Sequence, residues 1–383
     1  MRGYIMKEII RCKRCIMDNS SDNTITFDEN GFCNYCTIAL KNKKERYYPN
    51  EEGAKKLNDL FDKIKENGVG KKYDCLMGVS GGLDSSYLLY LGYKWGLRII
   101  AVHVDDGFDT EISKNNIQKL YNATKCDLII IKPDSEQFND LTKAYMKAGV
   151  PNLALPQDNV LFAEIYKYAK ENDINYFLSG DNFALECILQ MGNTHPNSDL
   201  TNIKDIHKKF GLKPINKLNF ISQVQLDIKR NFTKLNFFTP LNYIDYNRDS
   251  AFKELSDFCG FDYYGSKHLE NIFTAFVQLY WFPKKFGVDK RTSHLSSMII
   301  SDQMSREQAL EIYKQPLYDE IMMSDYIKII KNKLNILDEE FDAIMNAPSH
   351  QHTDYKVSSY FKIKPVFGKL KKLANKLFGG RYI

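Results

Sequence analysis

Residues 80–86 read Ser-Gly-Gly-Leu-Asp-Ser-Ser, and their setting constrains the fold of this 383-residue chain more than any other stretch. The apolar run before them, Tyr73 to Val79, reads as a short buried strand. After them Leu83, Tyr87, Leu88 and Leu91 recur at helical spacing. A polar bend with two glycines between a strand and a helix N-terminus is where an α/β protein holds phosphate. There the free backbone N–H groups and the positive end of the helix dipole both favour an anion. No Gly-Lys-Ser/Thr follows the glycines, so the bend is not a Walker motif.

From residue 73 onward, strand-like and helix-like runs alternate. "RIIAVHVDD" (98–106) precedes a helical stretch around 111–124, and "DLIIIKP" (127–133) precedes helical stretches to about 172. "YFLSGD" (176–181) then leads into another helix. This alternation predicts a parallel, doubly wound sheet, whose ligands sit at the C-terminal ends of the strands. The polar clusters fall at those ends: Ser80 to Ser86, Asp105-Asp106-Gly107, and Ser179-Gly180-Asp181-Asn182. "FFTPLNYID" (237–245) reads as a last strand or an extended crossing segment, and Asp249 to about Asn346 reads as mostly helical. Residues 41–72 read as a linker with one amphipathic helix, placing Leu57, Leu60, Phe61 and Ile64 on one face. No internal repeat is present. The expected organisation is a cysteine-bearing ribbon over 1–40, the linker and helix over 41–72, an α/β domain that carries the glycine bend over 73–245, a helical region over 246–350 and a basic tail over 351–383.

Four of the eight cysteines form the pattern Cys12-x2-Cys15, seventeen intervening residues, then Cys33-x2-Cys36. Each pair puts two thiolates on one tight turn, and two such turns complete a tetrahedral site suited to zinc. Asn30-Gly31 supplies a turn before the second pair. A redox pair, a disulfide or an iron–sulfur cluster are the other uses of such cysteines; the spacing favours structural zinc. Cys75, Cys126, Cys187 and Cys259 are isolated and read as small core residues.

Hydrophobic content of 43% and charged content of 26% suit an ordinary globular chain. No apolar run approaches the roughly 20 residues of a membrane span, and the N-terminus has no signal-peptide apolar region, so a cytoplasmic location is expected. The net charge of +5 is concentrated at the C-terminus. Lys362, Lys364, Lys369, Lys371, Lys372, Lys376 and Arg381 bring seven positive charges with no acidic residue, and setting them aside leaves −2 for the rest. A near-neutral body argues against a nucleic-acid-coating surface. In the tail, Val366, Leu370, Leu373 and Leu377 share one helical face. That pattern suits either peripheral contact with an anionic membrane or a solvated tail.

The heptad at 80–86 resembles the pyrophosphate loop of the ATP pyrophosphatases, a superfamily that includes asparagine synthetase, NAD synthetase, GMP synthetase and the tRNA thiolases. The resemblance implies cleavage of ATP between its α and β phosphates, with pyrophosphate left in the loop. Gly81 and Gly82 would let the backbone approach phosphate, and Ser80, Ser85 and Ser86 would donate hydroxyl hydrogen bonds. Asp84 needs a magnesium ion between itself and the anion, or a role in fixing the loop. "LSGDNFALE" (178–186) resembles the second acidic motif of asparagine synthetase. That makes Asp181 the second magnesium ligand, Glu186 a ligand or base, and Gly180 and Asp105 part of the nucleotide site. An ordinary helix-starting Asp is the competing reading of Asp181.

A narrower resemblance spans nearly the whole chain. "CKRCIMDNSSDNTITFDENGFCNYC" (12–36), "GVSGGLDSSYL" (78–88), "YGSKHLE" (264–270) and "FPKKFGVDKRTSHLSSMIISDQMSREQAL" (282–310) together resemble the N-acetyl sugar amidotransferases of lipopolysaccharide and surface-sugar biosynthesis. The resemblance implies adenylylation of an N-acetyl oxygen and displacement of AMP by ammonia, giving an acetamidino sugar. It also implies a separate glutaminase subunit, with an ammonia-conducting partner, because no cysteine–histidine glutaminase domain fits in this chain. Lys290 and Arg291 are expected to neutralise the departing pyrophosphate, and Lys267 or His268 to bind the anionic sugar. Ser305 and Gln308 are spaced as a capping box and read as structural. Two other classes stay open: a tRNA-modifying thiolase or lysidine-type ligase, and a zinc-bearing scaffold with a degenerate ATP site.

Overall fold

The computed structural model describes residues 8–232, 235–263, 265 and 269–363. Lys267, His268 and the tail positions Val366, Leu370, Leu373 and Leu377 lie outside the described residues.

The chain opens with the four-cysteine unit and runs directly into α1 (Asn34–Arg46) and α2 (Glu51–Asn67). Cys33 is itself the N-cap of α1, so the second knuckle and the helix are one element. The expected ribbon is reduced to two single bridges, Arg11 with Asp18 and Phe27 with Cys33. Gly31, at φ 77, makes the turn between Phe27 and Cys33. α2 starts at Asn50, whose side chain accepts from Gly53 N, and buries Leu57, Leu60, Phe61 and Ile64 as its periodicity predicts.

The doubly wound α/β domain follows. β1 (Cys75–Gly78), α3 (Leu83–Lys94), β2 (Ile99–Val104), α4 (Glu111–Thr124) and β3 (Asp127–Ile131) come first. α5 (Ser135–Ala148), α6 (Leu155–Glu171), β4 (Tyr176–Leu178) and α7 (Phe183–Glu186) come next, then α8 (Leu200–Phe210), α9 (Gln223–Phe232) and β5 (Asn236–Phe238). The five strands are parallel, in the order β3-β2-β1-β4-β5. Leu76 pairs with Ile100 on one side and Phe177 on the other, which fixes β1 as the central strand. Strand order reverses between β1 and β4, so the crevice of such a sheet opens at their C-terminal ends.

Both faces are covered. On one side Met77, Leu88, Leu89, Ile99 and Leu120 pack beneath α3 and α4 and continue into the four-cysteine unit. On the other, Leu76, Ile100, Val102, Ile165 and Phe177 pack against α6.

The C-terminal region is helical as expected: α10 (Arg248–Cys259), α11 (Ile272–Phe276), α12 (Arg291–Ile300), α13 (Arg306–Lys314), α14 (Glu320–Leu334) and α15 (Asp338–Asn346). α11 runs on into a π-helical turn, Val277–Phe286, that contains Pro283 and ends at Gly287 in the left-handed region. Proline cannot supply the i→i−4 bond, and the wider turn accommodates it. The Ser305–Gln308 capping box is formed in both directions. Packing also joins the α/β unit to the C-terminal helices. α5 belongs by sequence to the α/β unit, yet its Phe138, Leu141 and Tyr145 share a core with Phe276, Trp281, Met323 and Phe341. Trp281 Nε1 donates to Val150 O at 3.0 Å, a further tie between the two regions. No helix among the described residues is long and apolar enough to cross a membrane.

Candidate active site

The glycine bend leaves β1 at Gly78 and is tied to the sheet by Val79 N donating to Val102 O at 2.9 Å. Its hydroxyls hold its shape. Ser80 N donates to Ser85 Oγ and Gly82 N to Ser80 Oγ, each at 3.2 Å, and Ser85 Oγ donates to Gly82 O at 3.3 Å. Gly82 is the N-cap of α3 and offers no side-chain cap, so the first turn of the helix keeps its N–H dipoles for a ligand.

A cavity of about 350 Å³ opens at this point, between the ends of β1, β2 and β4. Ser80, Gly82, Asp84, Ser85, Gly180, Asp181 and Glu186 all line it, so most of the residues expected at the nucleotide come together. The loop after β4 lies directly on the start of α3: a Cβ on Gly180 would stand 2.9 Å from Ser85 N and 3.0 Å from Asp84 C. Asp84 Oδ1 accepts the Tyr246 hydroxyl hydrogen, which aims the carboxylate. Glu186 accepts from Asn182 N at 3.4 Å across the single turn of α7.

Further carboxylates line the cavity: Asp158, which no motif marks, Asp106 of the Asp105-Asp106-Gly107 cluster, and Glu270 at the end of "YGSKHLE". Asp158, in the first turn of α6, is pushed up to about 7, first by burial and then by the charge of Asp181. Asp106 is pushed up to about 6 by burial, against the hydrogen bond it receives from Phe108 N; Asn271 Nδ2 and Gln157 Nε2 also donate to it. Glu270 accepts from Ser80 Oγ at 3.4 Å, while its carbonyl takes Thr110 N at 3.0 Å. Beneath them His103 faces two acceptors, Val79 O at 2.8 Å and Asp109 Oδ2 at 2.9 Å. Burial works against its proton, but the Asp109 carboxylate outweighs burial and raises the imidazole above its usual range. None of the described lining residues is Lys or Arg. Asp84, Asp158, Asp181 and Glu186 line one cavity free of described Lys or Arg, and carboxylate oxygens are the donors a hard divalent cation such as magnesium takes.

Several expected site residues are placed elsewhere. Asp105 turns outward to Lys132 at 3.0 Å and accepts from Gly107 N; burial would raise it, but these partners hold it below the usual carboxylate range. The next residue, Asp106, is the one aimed at the cavity, because side chains alternate in direction at a strand end. Ser86 is fully buried on the inner face of α3 and does not line the cavity. Gly81 serves the turn rather than the ligand: at φ 77, a Cβ there would stand 2.4 Å from Ser113 O of α4. Arg291 does not face the loop; it pairs with Asp289 at 2.8 Å and donates to Gln315 O at 2.8 Å. Lys290 is also absent from the lining, and its ammonium lies 5.4 Å from the Phe282 ring centroid, where burial lowers it to about 8. α12 meets the segment after β4 through Thr292, Ser297 and its C-cap Ser301, not through the side chains of Lys290 and Arg291.

The four cysteines converge. Their sulfurs lie within 4.8 Å of one another, with Cys12–Cys36 at 3.7 Å and Cys15–Cys33 at 3.6 Å. Zinc–sulfur bonds of about 2.3 Å in a tetrahedron give an edge of about 3.8 Å, so the thiolates are spaced for one ion. A cluster core would spread them further. Cys12 Sγ also accepts from Cys33 N at 3.2 Å, as a thiolate ligand does. Of the isolated cysteines, Cys187 is pushed up to about 12 by burial, which leaves it inert.

Residues 270–370 match the family profile described as "LPS biosynthesis protein WbpG-like, C-terminal domain". No curated protein matches the chain. Among solved structures the chain is similar to NMN synthetase from Francisella tularensis, with 14% identity, 76% of this chain and 95% of that one covered, and a TM-score of 0.38. It is also similar to NH3-dependent NAD synthetase from Campylobacter jejuni, with 14% identity, 78% and 98% covered, and a TM-score of 0.32. A tRNA thiolase from Methanococcus maripaludis carrying a 4Fe–4S cluster is similar at 12% identity, with 85% and 89% covered and a TM-score of 0.33.

Proposed function

We propose that this chain is an ATP-dependent, AMP-forming amidotransferase acting on an N-acetyl sugar, on the cytoplasmic side of a surface-sugar pathway. The observation that carries the reading is the uncapped start of α3 behind Ser80-Gly81-Gly82, set at the point of strand reversal and faced by Asp84, Asp181 and Glu186. The match of residues 270–370 to a lipopolysaccharide-biosynthesis domain supports the sugar acceptor.

In this reading Ser80, Ser85 and the amides from Gly82 hold the β and γ phosphates. Asp84 and Asp181, with Glu186, would hold magnesium, which would supply positive charge against the phosphates. An amide carbon is a poor electrophile, so its oxygen is first activated. The N-acetyl oxygen attacks the α phosphorus and the bond to the β-phosphate oxygen breaks, releasing pyrophosphate. Ammonia adds to the activated carbon, the C–O bond to AMP breaks, and a proton is lost, leaving the amidine. The α3 dipoles stabilise the departing pyrophosphate, the part expected of Lys290 and Arg291. Ammonia is supplied by a separate glutaminase subunit, with a conducting partner between them. The zinc held by Cys12, Cys15, Cys33 and Cys36 is structural.

The test is incubation with MgATP, ammonium and a panel of N-acetyl sugar nucleotides, without tRNA. AMP, pyrophosphate and a sugar whose mass has exchanged O for NH are expected. AMP release without that exchange points to another acceptor, and turnover only with tRNA replaces the reading by the tRNA-modifying one.

A further inference from the structure

The segment carrying the second group of cavity carboxylates is held largely by other parts of the chain. It leaves β4 at Ser179, makes the four-residue turn α7, and continues to Asn193 with one short 3-10 turn. So short a helix has no stability of its own. Asn182 caps the turn by accepting from Leu185 N at 2.9 Å, and Phe183 N donates to Asn242 Oδ1, after β5, at 2.6 Å. The rest of the segment is held by α12, its C-cap and the four-cysteine unit. Ser301 Oγ donates to Ala184 O at 2.7 Å and Ile188 N donates to Ser297 Oγ at 3.0 Å, both from α12. Met191 N then donates to the Tyr35 hydroxyl and Gly192 N to Asp22 Oδ2, each at 3.0 Å. The Tyr35 hydroxyl also donates to Asp22 Oδ2 at 2.9 Å, so the two acceptors are joined.

Tyr35 sits between Cys33 and Cys36, and Asp22 lies in the loop between the two cysteine pairs. Both are buried. The fit is close: a Cβ on Gly192 would stand 2.3 Å from Asn23 Oδ1 and 2.7 Å from Asp22 Oδ1. α12 is anchored to the same unit, because Ile16 N donates to Ser296 Oγ at 3.1 Å, next to Cys15. From Ala184 to Gly192 the hydrogen bonds named here that leave the segment therefore reach the four-cysteine unit, directly or through α12, while Phe183 at the start of the turn is held by Asn242. A short unit of this kind takes its shape from its metal.

We propose that the metal-loaded four-cysteine unit positions the Asp181–Glu186 segment, with Tyr35 and Asp22 as positioning residues, so that metal at the N-terminus governs binding of magnesium nucleotide in the cavity. This rests on the reading of Asp181 and Glu186 as magnesium-binding residues. Neither Tyr35 nor Asp22 lines the cavity, so they act only through the segment they hold.

The test uses the full zinc-loaded chain and two variants that approach the contact from opposite sides. Tyr35→Phe keeps the ring and removes the hydroxyl; Gly192→Ala wedges the segment away from Asp22 and Asn23 without altering any residue of the cysteine unit. Three quantities are read without any acceptor: bound zinc, amide exchange over 182–192, and the magnesium concentration that half-saturates ATP binding. Zinc is expected to be retained, exchange over 182–192 to quicken, and the magnesium requirement to rise about fivefold, the scale of one lost hydrogen bond. Excess magnesium then restores ATP binding, which a general loss of structure would not allow. An unchanged magnesium requirement in both variants overturns the inference, even if exchange quickens. Wild-type protein that binds no MgATP overturns the functional reading first, and this inference with it.

Discussion

Gly180→Ala probes the contact on which the nucleotide site depends. Gly180 does not have a left-handed backbone, so alanine brings no conformational strain there. The difficulty is space: the new Cβ would lie 2.9 Å from Ser85 N and 3.0 Å from both Asp84 C and Ser85 Cα. All three are backbone atoms at the start of α3, so no rotamer change relieves the contact. Carbon contacts relax only near 3.5 Å or beyond, so the β4 loop and the phosphate bend must part by roughly 0.5 Å. Overpacking of this kind costs about 1–3 kcal/mol of stability. The larger effect falls on chemistry, because the displacement separates Asp181 from Asp84 and the α3 amides; since 1 Å of misplacement costs about 100-fold, roughly a tenfold loss in kcat/KM for MgATP is expected. The assay is AMP formation against MgATP concentration, beside thermal unfolding. Gly96→Ala is the comparison: at φ 69 with nothing within 4 Å of the added Cβ, it loses about 1–2 kcal/mol of backbone preference and leaves KM unchanged. A Gly180→Ala protein with wild-type kcat/KM would refute the argument that the two loops act as one site.

Other substitutions separate site from surroundings. Asp105→Asn removes only a surface pair with an exposed lysine, so stability changes by less than about 1 kcal/mol and MgATP affinity is unaltered; a calorimetric titration checks it. Arg291→Ala lowers the unfolding temperature by breaking the Asp289 and Gln315 ties, while half-saturating MgATP stays the same; a raised value would return Arg291 to the pyrophosphate. The His103–Asp109 pair gives a pH signature. The folded imidazole is raised above its usual value of about 6.5, so its stabilisation is complete below about pH 6.5 and is lost as pH rises through the raised value. Asp106 has the same sign over a lower window: its contribution is complete below its ordinary value of 3.8 and is lost as pH rises through about 6. Unfolding measured between pH 4 and 8 should flatten in His103→Gln and Asp106→Asn; an unchanged profile in both would contradict these assignments. Chelation of the N-terminal metal should unfold the cysteine unit and quicken amide exchange in α12, which is checked by hydrogen exchange before and after metal removal.

The parallel sheet and the ligand-bearing ends of its strands were legible because β1, β2 and β3 are apolar runs bounded by polar ends, one of them the glycine bend; the strand order that makes β1 and β4 the switch point was not. The cysteine spacing led to a four-sulfur site for the same local reason. What could not be read were contacts between distant segments. Asp158 reaches the cavity from the first turn of α6, where its sequence setting is that of any helix start. Asp105 and Asp106 are indistinguishable as neighbouring acids until the strand end fixes which one points inward. Lys290 and Arg291 looked like an anion site by charge alone, but the direction of α12 turns them to Phe282 and Asp289. α5 follows β3 in the chain yet packs with the C-terminal helices, which no local periodicity reports.

The central claim is that the acceptor's N-acetyl oxygen attacks the α phosphorus of ATP. A sugar nucleotide carrying heavy oxygen in its N-acetyl carbonyl tests this directly, with MgATP and ammonium present and the products weighed by mass spectrometry. The label is expected in AMP, with the sugar carrying nitrogen in its place. Label that stays in the sugar, or AMP formed without it, would contradict the account.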